Sequence, residues 1–154
     1  MDENKEIFDI IPEVEELINF AQFEIDIEVP TKAGLINFRM AVLWEGDEYN
    51  LFKHSGEIIN PMDMQTRGRW MQLETLVQSI CKIGSDEYKS DDKDKNEVLK
   101  NKLRVILQRL NPHLIKFIYD TYVQLNVHSK EFIDKKTDTI KKKLQTKMMK
   151  LKPL

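Results

Sequence analysis

Two short runs of alternating residues near the N-terminus constrain this chain more than any other feature of its sequence. Every second residue is a large apolar one from Phe23 to Val29, and again from Ile36 to Val42. A period of two is typical of a strand with one buried face. The five residues Pro30–Gly34 separate the runs and include the turn formers proline and glycine. The sequence therefore predicts a β-hairpin.

Helical patterns surround the hairpin, because apolar residues elsewhere recur at spacings of three and four. Pro12 suits the first turn of a short helix. A second short helix is indicated after Trp44 and is expected to close near Gly56. A third is predicted from Asp63, a suitable N-cap, to Gly84, a suitable left-handed C-cap.

These elements predict a mostly helical α+β fold, with an N-terminal β-hairpin packed on a helical bundle and a protruding basic C-terminal helix. Residues 1–84 are predicted to form a hairpin-plus-helix N-terminal half, and residues 85–96 a mobile polar loop. Residues 97–128 are predicted to form a helical pair, and residues 129–154 a basic amphipathic C-terminal helix. The side chains predicted to form the core are Phe23, Ile25, Ile27, Ile36, Phe38, Met40, Trp70, Leu73, Val77, Leu103, Ile106, Leu107, Phe117 and Ile118.

The two ends of the chain carry opposite charge. Residues 1–28 have ten acidic side chains and one lysine, which gives a net charge of −9, whereas residues 130–152 have nine lysines and three acids, which gives +6. This asymmetry indicates either a charged partner or docking of the two ends on each other. No arginine follows Arg109, which weighs against a dedicated phosphate clamp.

The basic C-terminal segment also carries a narrow apolar stripe. Its members recur at spacings of seven, four, four and three, and we predict that they bind a partner together with three lysines: Ile133, Ile140, Leu144, Met148, Leu151, Lys141, Lys142 and Lys143. A purely electrostatic arm needs no stripe, so the pattern favours docking on another helix. The alternative is a nucleic-acid-binding accessory protein that uses Lys135, Lys136, Lys141, Lys142 and Lys143.

The sequence shows no catalytic, cofactor-binding or metal-binding constellation. The histidines His54, His113 and His128 are scattered over different predicted elements, which favours surface or capping roles. The single cysteine, Cys81, lies on the apolar face of its predicted helix, where a buried small hydrophobe is favoured over a nucleophile. We therefore expect no enzyme, no cofactor and no metal.

One basic-aromatic cluster has two interpretations. Arg67, Arg69 and Trp70 could form a stacking or phosphate site. The alternative places Trp70 in the core and both arginines in water. Apolar runs are too short for a membrane span, and a single cysteine suits a reducing compartment, so we expect an intracellular protein.

Several segments together resemble a known family. Val29–Gly34, Phe38–Arg39, Gly46–Glu48 and the helix ending Leu76–Cys81 are similar to small tail-assembly proteins of contractile-tailed phages, the baseplate hub assembly family of T-even-like phages. The resemblance covers roughly residues 23–84. It implies a non-enzymatic structural or assembly protein, or assembly chaperone, of the phage tail or baseplate.

The resemblance also implies partners and a location. The partners would be other tail or baseplate hub proteins, the tape-measure protein, or a second copy of the chain. We expect the protein in the host cytoplasm during virion assembly, with retention in the virion tail or baseplate as a further alternative. A third interpretation is a regulatory or inhibitory protein that acts on an acidic host partner.

Overall fold

The described part of the chain folds into helices and one antiparallel sheet. A computed structural model describes residues 11–58 and 64–153. The elements in chain order are α1 (Pro12–Asn19), β1 (Glu24–Thr31), β2 (Gly34–Ala41), α2 (Glu45–Ile58), α3 (Met64–Ser79), β3 (Ile80–Ile83), β4 (Asp86–Glu87), α4 (Lys93–Gln108) and α5 (Pro112–Met149). This is the mostly helical α+β fold that the sequence predicts. The predicted helix start at Asp63 lies outside the described residues.

Strands β1 and β2 form the predicted hairpin, and Thr31 pairs with Gly34 across it. Only Lys32 and Ala33 lie between the strands, so the connection is shorter than the five residues expected. The Thr31 hydroxyl accepts a hydrogen bond from the Ala33 N–H at 3.2 Å and donates to the Gly34 carbonyl at 2.7 Å. Gly34 adopts a φ of 123°, which is open to glycine.

The third helix ends before the predicted residue. Helix α3 stops at Ser79, and Ile80–Ile83 pairs with β2 as strand β3 in a sheet of order β1-β2-β3-β4. Gly84 does adopt a left-handed conformation, with φ 60°, but in the turn between β3 and β4. A spacing of three between apolar residues 80 and 83 suits a helix, but pairing with β2 decides the structure here.

The sequence predicts a loop throughout the polar segment 85–96, but part of this segment forms regular structure. Strand β4 pairs with β3 inside this segment, and Tyr88 is buried. The Asp92 carboxylate accepts hydrogen bonds from the N–H groups of Asp94 and Lys95, both at 3.0 Å, and so caps α4. Strand pairing and capping need few apolar residues, which is why hydropathy does not reveal them.

The core is built from the inner face of the sheet and from α3, α4 and the first part of α5. Its buried members are Val29, Phe38, Met40, Leu43, Leu76, Val77, Ile80, Tyr88, Leu103, Leu107, Ile118 and Tyr122. Of the predicted core, the buried side chains are Phe38, Met40, Val77, Leu103, Leu107 and Ile118, and the half-buried ones are Phe23, Ile27, Trp70, Leu73 and Ile106.

The core prediction is wrong for three residues, which keep more than a third of their surface exposed: Ile25, Ile36 and Phe117. Ile25 lies on edge strand β1, and Ile36 lies near the hairpin tip, where fewer neighbours cover the sheet. Ile118 takes the inward position on α5, so Phe117 is directed about 100° away from it around the helix.

The last helix is one element of 38 residues. Asn111 begins it, because its side-chain oxygen accepts the His113 N–H at 2.9 Å, and Pro112 occupies the first helical position. Neither glycine nor proline occurs from residue 113 to 152. The second helix of the predicted pair and the predicted C-terminal helix are therefore continuous, with no break near residue 129.

The described residues divide into two compact units. The core unit comprises residues 23–126, and the terminal unit comprises residues 11–22 and 127–153. The segment 85–96, expected to separate two halves, lies inside the core unit.

Candidate functional site

In the terminal unit, the turn that follows α1 is fastened to α5. The rings of Phe20 and Phe132 lie with their centroids 5.4 Å apart. The Ser129 hydroxyl donates a hydrogen bond of 2.9 Å to the carbonyl of Ala21, and both residues are buried. Ala21 holds a left-handed φ of 60°, which costs a non-glycine residue about 1 kcal/mol. The bond from Ser129 helps to hold that conformation.

These contacts bear on whether the oppositely charged ends of the chain dock on each other. The end segments that the structure describes do meet, but through aromatic packing and a neutral hydrogen bond. Within the described residues, no ion pair joins the glutamates of α1 to a lysine of α5. The charge of the C-terminal lysines is therefore not neutralised by α1.

Beyond Phe132, α5 presents four large apolar side chains to solvent. Ile133, Ile140, Leu144 and Met148 keep 37%, 63%, 48% and 57% of their surface exposed. At 100° per residue, they fall within about 80° of the helix circumference. We call these four residues the apolar stripe. Its width is that of a coiled-coil seam, whereas a membrane-surface helix buries a broader face.

The fifth predicted member of the stripe lies beyond the helix. Helix α5 ends at Met149, and the N–H groups of Lys150 and Leu151 donate to the carbonyls of Lys147 and Met148 at 3.2 and 3.1 Å. These bonds form a closing turn. Leu151 is 75% exposed and follows the stripe, but it does not share the helical face of the other four.

The lysines near the stripe fall into two groups. Lys136, Lys143 and Lys147 lie within about 40° of one another along one border of the stripe, and we call them the lysine row. The predicted partner-binding lysines Lys141 and Lys142 lie elsewhere on the helix. Sequence reasoning missed Lys147, although its spacing from Lys136 and Lys143, by eleven and four residues, places all three on one helical face.

The two groups of lysines also differ in their partners. Lys141 lies 3.9 Å from Asp134, and Lys142 lies 3.4 Å from Asp138. In the lysine row, Lys136 rests 5.5 Å from the Phe132 ring centroid. Lys143 and Lys147 form no ion pair with any described residue. The structure thus leaves one border of the stripe positive and pairs the charges on the other.

A cleft of about 450 Å³ in the core unit is the second candidate site, and it contains one residue of the predicted basic-aromatic cluster. Trp70 is half-buried and lines this cleft with His54, Glu74 and Arg104. Arg104 binds the Glu74 carboxylate in a bidentate manner, with Nε on Oε1 and Nη2 on Oε2 at 2.9 Å. This hydrogen bonding raises the pKa of the Arg104 guanidinium. The pair joins α3 to α4, and Arg104 satisfies the buried carboxylate without a ligand.

The other predicted chemical groups do not gather around this cleft. Arg67 and Arg69 are exposed, and so are His113 and His128. Cys81 is half-buried in β3, not on a helix as predicted, and burial raises the pKa of its thiol. A raised pKa favours the unreactive thiol form.

One buried cation was missed by sequence reasoning. Lys100 is 5% exposed, and its Nζ donates a hydrogen bond of 2.9 Å to the carbonyl of Ile80. Burial lowers the pKa of Lys100 to about 8. The sequence does hint at this burial, because Lys100 lies between Leu99 and Leu103 on α4. A lysine among the apolar residues of a helix can direct its side chain inward.

Comparisons with known proteins identify no relative of this chain. No protein-family model, curated protein or solved structure matches this chain. Within residues 11–58 and 64–153, no group of three histidine, cysteine or acidic side chains is placed to hold a metal ion. No helix of that part combines the length and apolar content needed to cross a membrane.

Proposed function

We propose that this chain is a non-enzymatic assembly protein that acts by protein–protein contact through the apolar stripe of α5. The observation that carries the proposal is the exposure of four large apolar side chains on one narrow helical face. Each such side chain contributes roughly 1.5–3 kcal/mol when it is fully buried. A partner helix packed along the stripe would gain part of that free energy from each residue.

The setting that we propose is the construction of a phage tail or baseplate. This part of the proposal rests on the resemblance of residues 23–84 to baseplate hub assembly proteins. Hub proteins and the tape-measure protein are the partners that the resemblance implies.

The geometry weighs against the nucleic-acid alternative. The five lysines invoked for it, Lys135, Lys136, Lys141, Lys142 and Lys143, are spread over about 220° of the circumference of α5 at 100° per residue. A helix that binds a phosphate backbone needs its cations on one side. Two of the five are also paired with aspartates.

The test replaces Ile140 and Leu144 by aspartate and keeps every lysine. We expect the melting temperature to change by less than about 2 °C, because both side chains are exposed. We expect binding to the tail and baseplate proteins encoded beside this chain to fall at least tenfold, measured by quantitative capture on the immobilised protein. The matched control is Q145D/M149D, which adds the same charge at the same spacing on a face of α5 away from the lysine border, and it should retain binding.

Salt concentration provides the second measurement. Contact through apolar side chains should persist at about 0.5 M salt, whereas affinity for nucleic acid falls steeply with salt. Binding that survives the I140D/L144D change, or that disappears in salt together with captured nucleic acid, would replace this proposal by the electrostatic alternative.

A further inference from the structure

We propose that the partner of the apolar stripe is an acidic amphipathic helix whose carboxylates lie against the lysine row. This inference rests on the proposed function and specifies the chemistry of the partner. It combines two observations: the apolar stripe of α5 is exposed, and the lysines along one of its borders are not neutralised.

The lysine row forms a one-sided positive border. Lys143 and Lys147 form no ion pair with any described residue, although three aspartate–lysine pairs form elsewhere on this part of α5. A helix packed in the seam would bring its own flanking residues next to these ammonium groups. Acidic side chains in that position would gain charge complementarity that neutral or basic ones would not.

The α5 helix of a second copy of this chain is a poor occupant of the apolar stripe. In an antiparallel pair related by a two-fold axis, the lysine row of one copy faces the lysine row of the other. In a parallel pair, Lys136 of one copy faces Lys141 of the other. Like charges meet in both arrangements, so the charge pattern disfavours pairing of two α5 helices and favours a different, acidic helix.

The spacing of the row specifies where the partner's carboxylates lie. Lys136, Lys143 and Lys147 are separated along the axis by about 10 and 6 Å. Acidic residues spaced by seven and then four positions on one border of the partner's seam would match them. The other border of the partner would face a region of α5 where Asp134 and Asp138 are already paired, so acids there would gain little.

The experiment uses designed peptides as probes and the full chain as receptor. Both peptides are about three heptads long, with leucines along the seam and the same number of glutamates. The first peptide places its glutamates on the seam border that faces the lysine row, and the second places them on its outer face. Composition and net charge are therefore identical, and dissociation constants are measured by fluorescence anisotropy.

We expect the first peptide to bind about tenfold more tightly than the second, from two to three exposed charge pairs. K143E/K147E should lose about tenfold in affinity for the first peptide. A third peptide with lysines in place of the border glutamates should bind K143E/K147E more tightly than it binds the unsubstituted chain. The matched control K135E/K142E changes net charge equally on the back of α5 and should alter affinity by less than about threefold.

Four outcomes would overturn the inference. Equal binding of the two isomeric peptides would show that the row does not select charge position. An equal loss in K143E/K147E and K135E/K142E would show a general attraction of charge. Binding of α5 to anionic vesicles, abolished by I140D/L144D while neither peptide binds, would show a lipid surface as the occupant. If both peptides fail but I140D/L144D still abolishes capture of a protein partner, the proposed function stands without its acidic helix.

Discussion

A single buried lysine illustrates how one residue can control the pH dependence of this fold. Lys100 on α4 donates its hydrogen bond to the carbonyl of Ile80, at the residue where α3 gives way to β3. Burial is the main cause that lowers its pKa to about 8, and repulsion from Lys89 adds to it. Cys81 and Asp47 act in the opposite direction. The ammonium therefore connects two elements but is costly to keep charged.

This residue gives the protein a stability that should rise between about pH 8 and pH 10.5. Over that range the folded state has released the Lys100 proton, whereas the unfolded state still holds it, so the free energy of unfolding increases with pH. Below pH 8 the cost of burying the charge is fully present. The rise due to Lys100 is expected to be at most about 3 kcal/mol.

The measurement is urea unfolding of the unsubstituted chain and of K100M at several pH values from 7 to about 10. Methionine keeps the unbranched stem and carries no charge. The difference in unfolding free energy between the two proteins should shift in favour of the unsubstituted chain as pH rises. The raised thiol pKa of Cys81 acts with the opposite sign. Because the charges of Lys100 and Cys81 also act on each other, the comparison is repeated with Cys81→Ser in both proteins. Two parallel pH profiles would refute this assignment.

At the scale of elements, the start of α4 depends on one cap. Asp92 accepts two backbone N–H groups of the first turn. We expect Asp92→Ala to lower the free energy of unfolding by about 1 kcal/mol, because both N–H groups lose their acceptor. Asp92→Ser retains an oxygen acceptor and should lose much less. Denaturant unfolding of the two variants measures this, and an equal loss in both would assign the effect to charge and not to capping.

The elements that sequence reasoning recovered are those with a clear period, and those it missed depend on distant pairing. Alternation revealed β1 and β2, and proline marked the starts of α1 and α5. The local pattern of β3 predicts the end of a helix, because the strand that pairs with it, β2, lies some forty positions earlier in the chain. Strand β4 is two polar residues long and carries no period at all.

The candidate site likewise has features that a local sequence pattern predicts and features that depend on three-dimensional geometry. Helical spacing alone identified Ile133, Ile140, Leu144 and Met148, whose exposure the structure then gives. Which lysines remain unneutralised depends on side-chain geometry, since Asp134 lies close both to Lys130, four residues before it, and to Lys141, seven residues after it. The Glu74–Arg104 pair joins residues thirty positions apart, and no local pattern predicts it.

At the scale of the whole molecule, buried apolar surface is unevenly distributed. Every member of the buried core cluster belongs to the core unit. In the terminal unit, the buried residues among those described are Ala21 and Ser129. Local opening costs least free energy where few apolar contacts are buried, so the two units should differ in local stability.

We therefore expect backbone amides of α5 to exchange with solvent at two distinct rates. Amides from Ile115 to Leu125, beside the core, should exchange at least about tenfold more slowly than those from Ile140 to Met149, because a helix with one exposed narrow stripe is marginally stable by itself. Hydrogen–deuterium exchange followed by mass spectrometry resolves the two segments. Adding the acidic peptide should slow exchange in the second segment and leave the first unchanged, because the partner supplies the burial that the stripe lacks. Equal protection along all of α5 in the free protein, independent of protein concentration, would mean that the stripe is already stabilised and has no need of a partner.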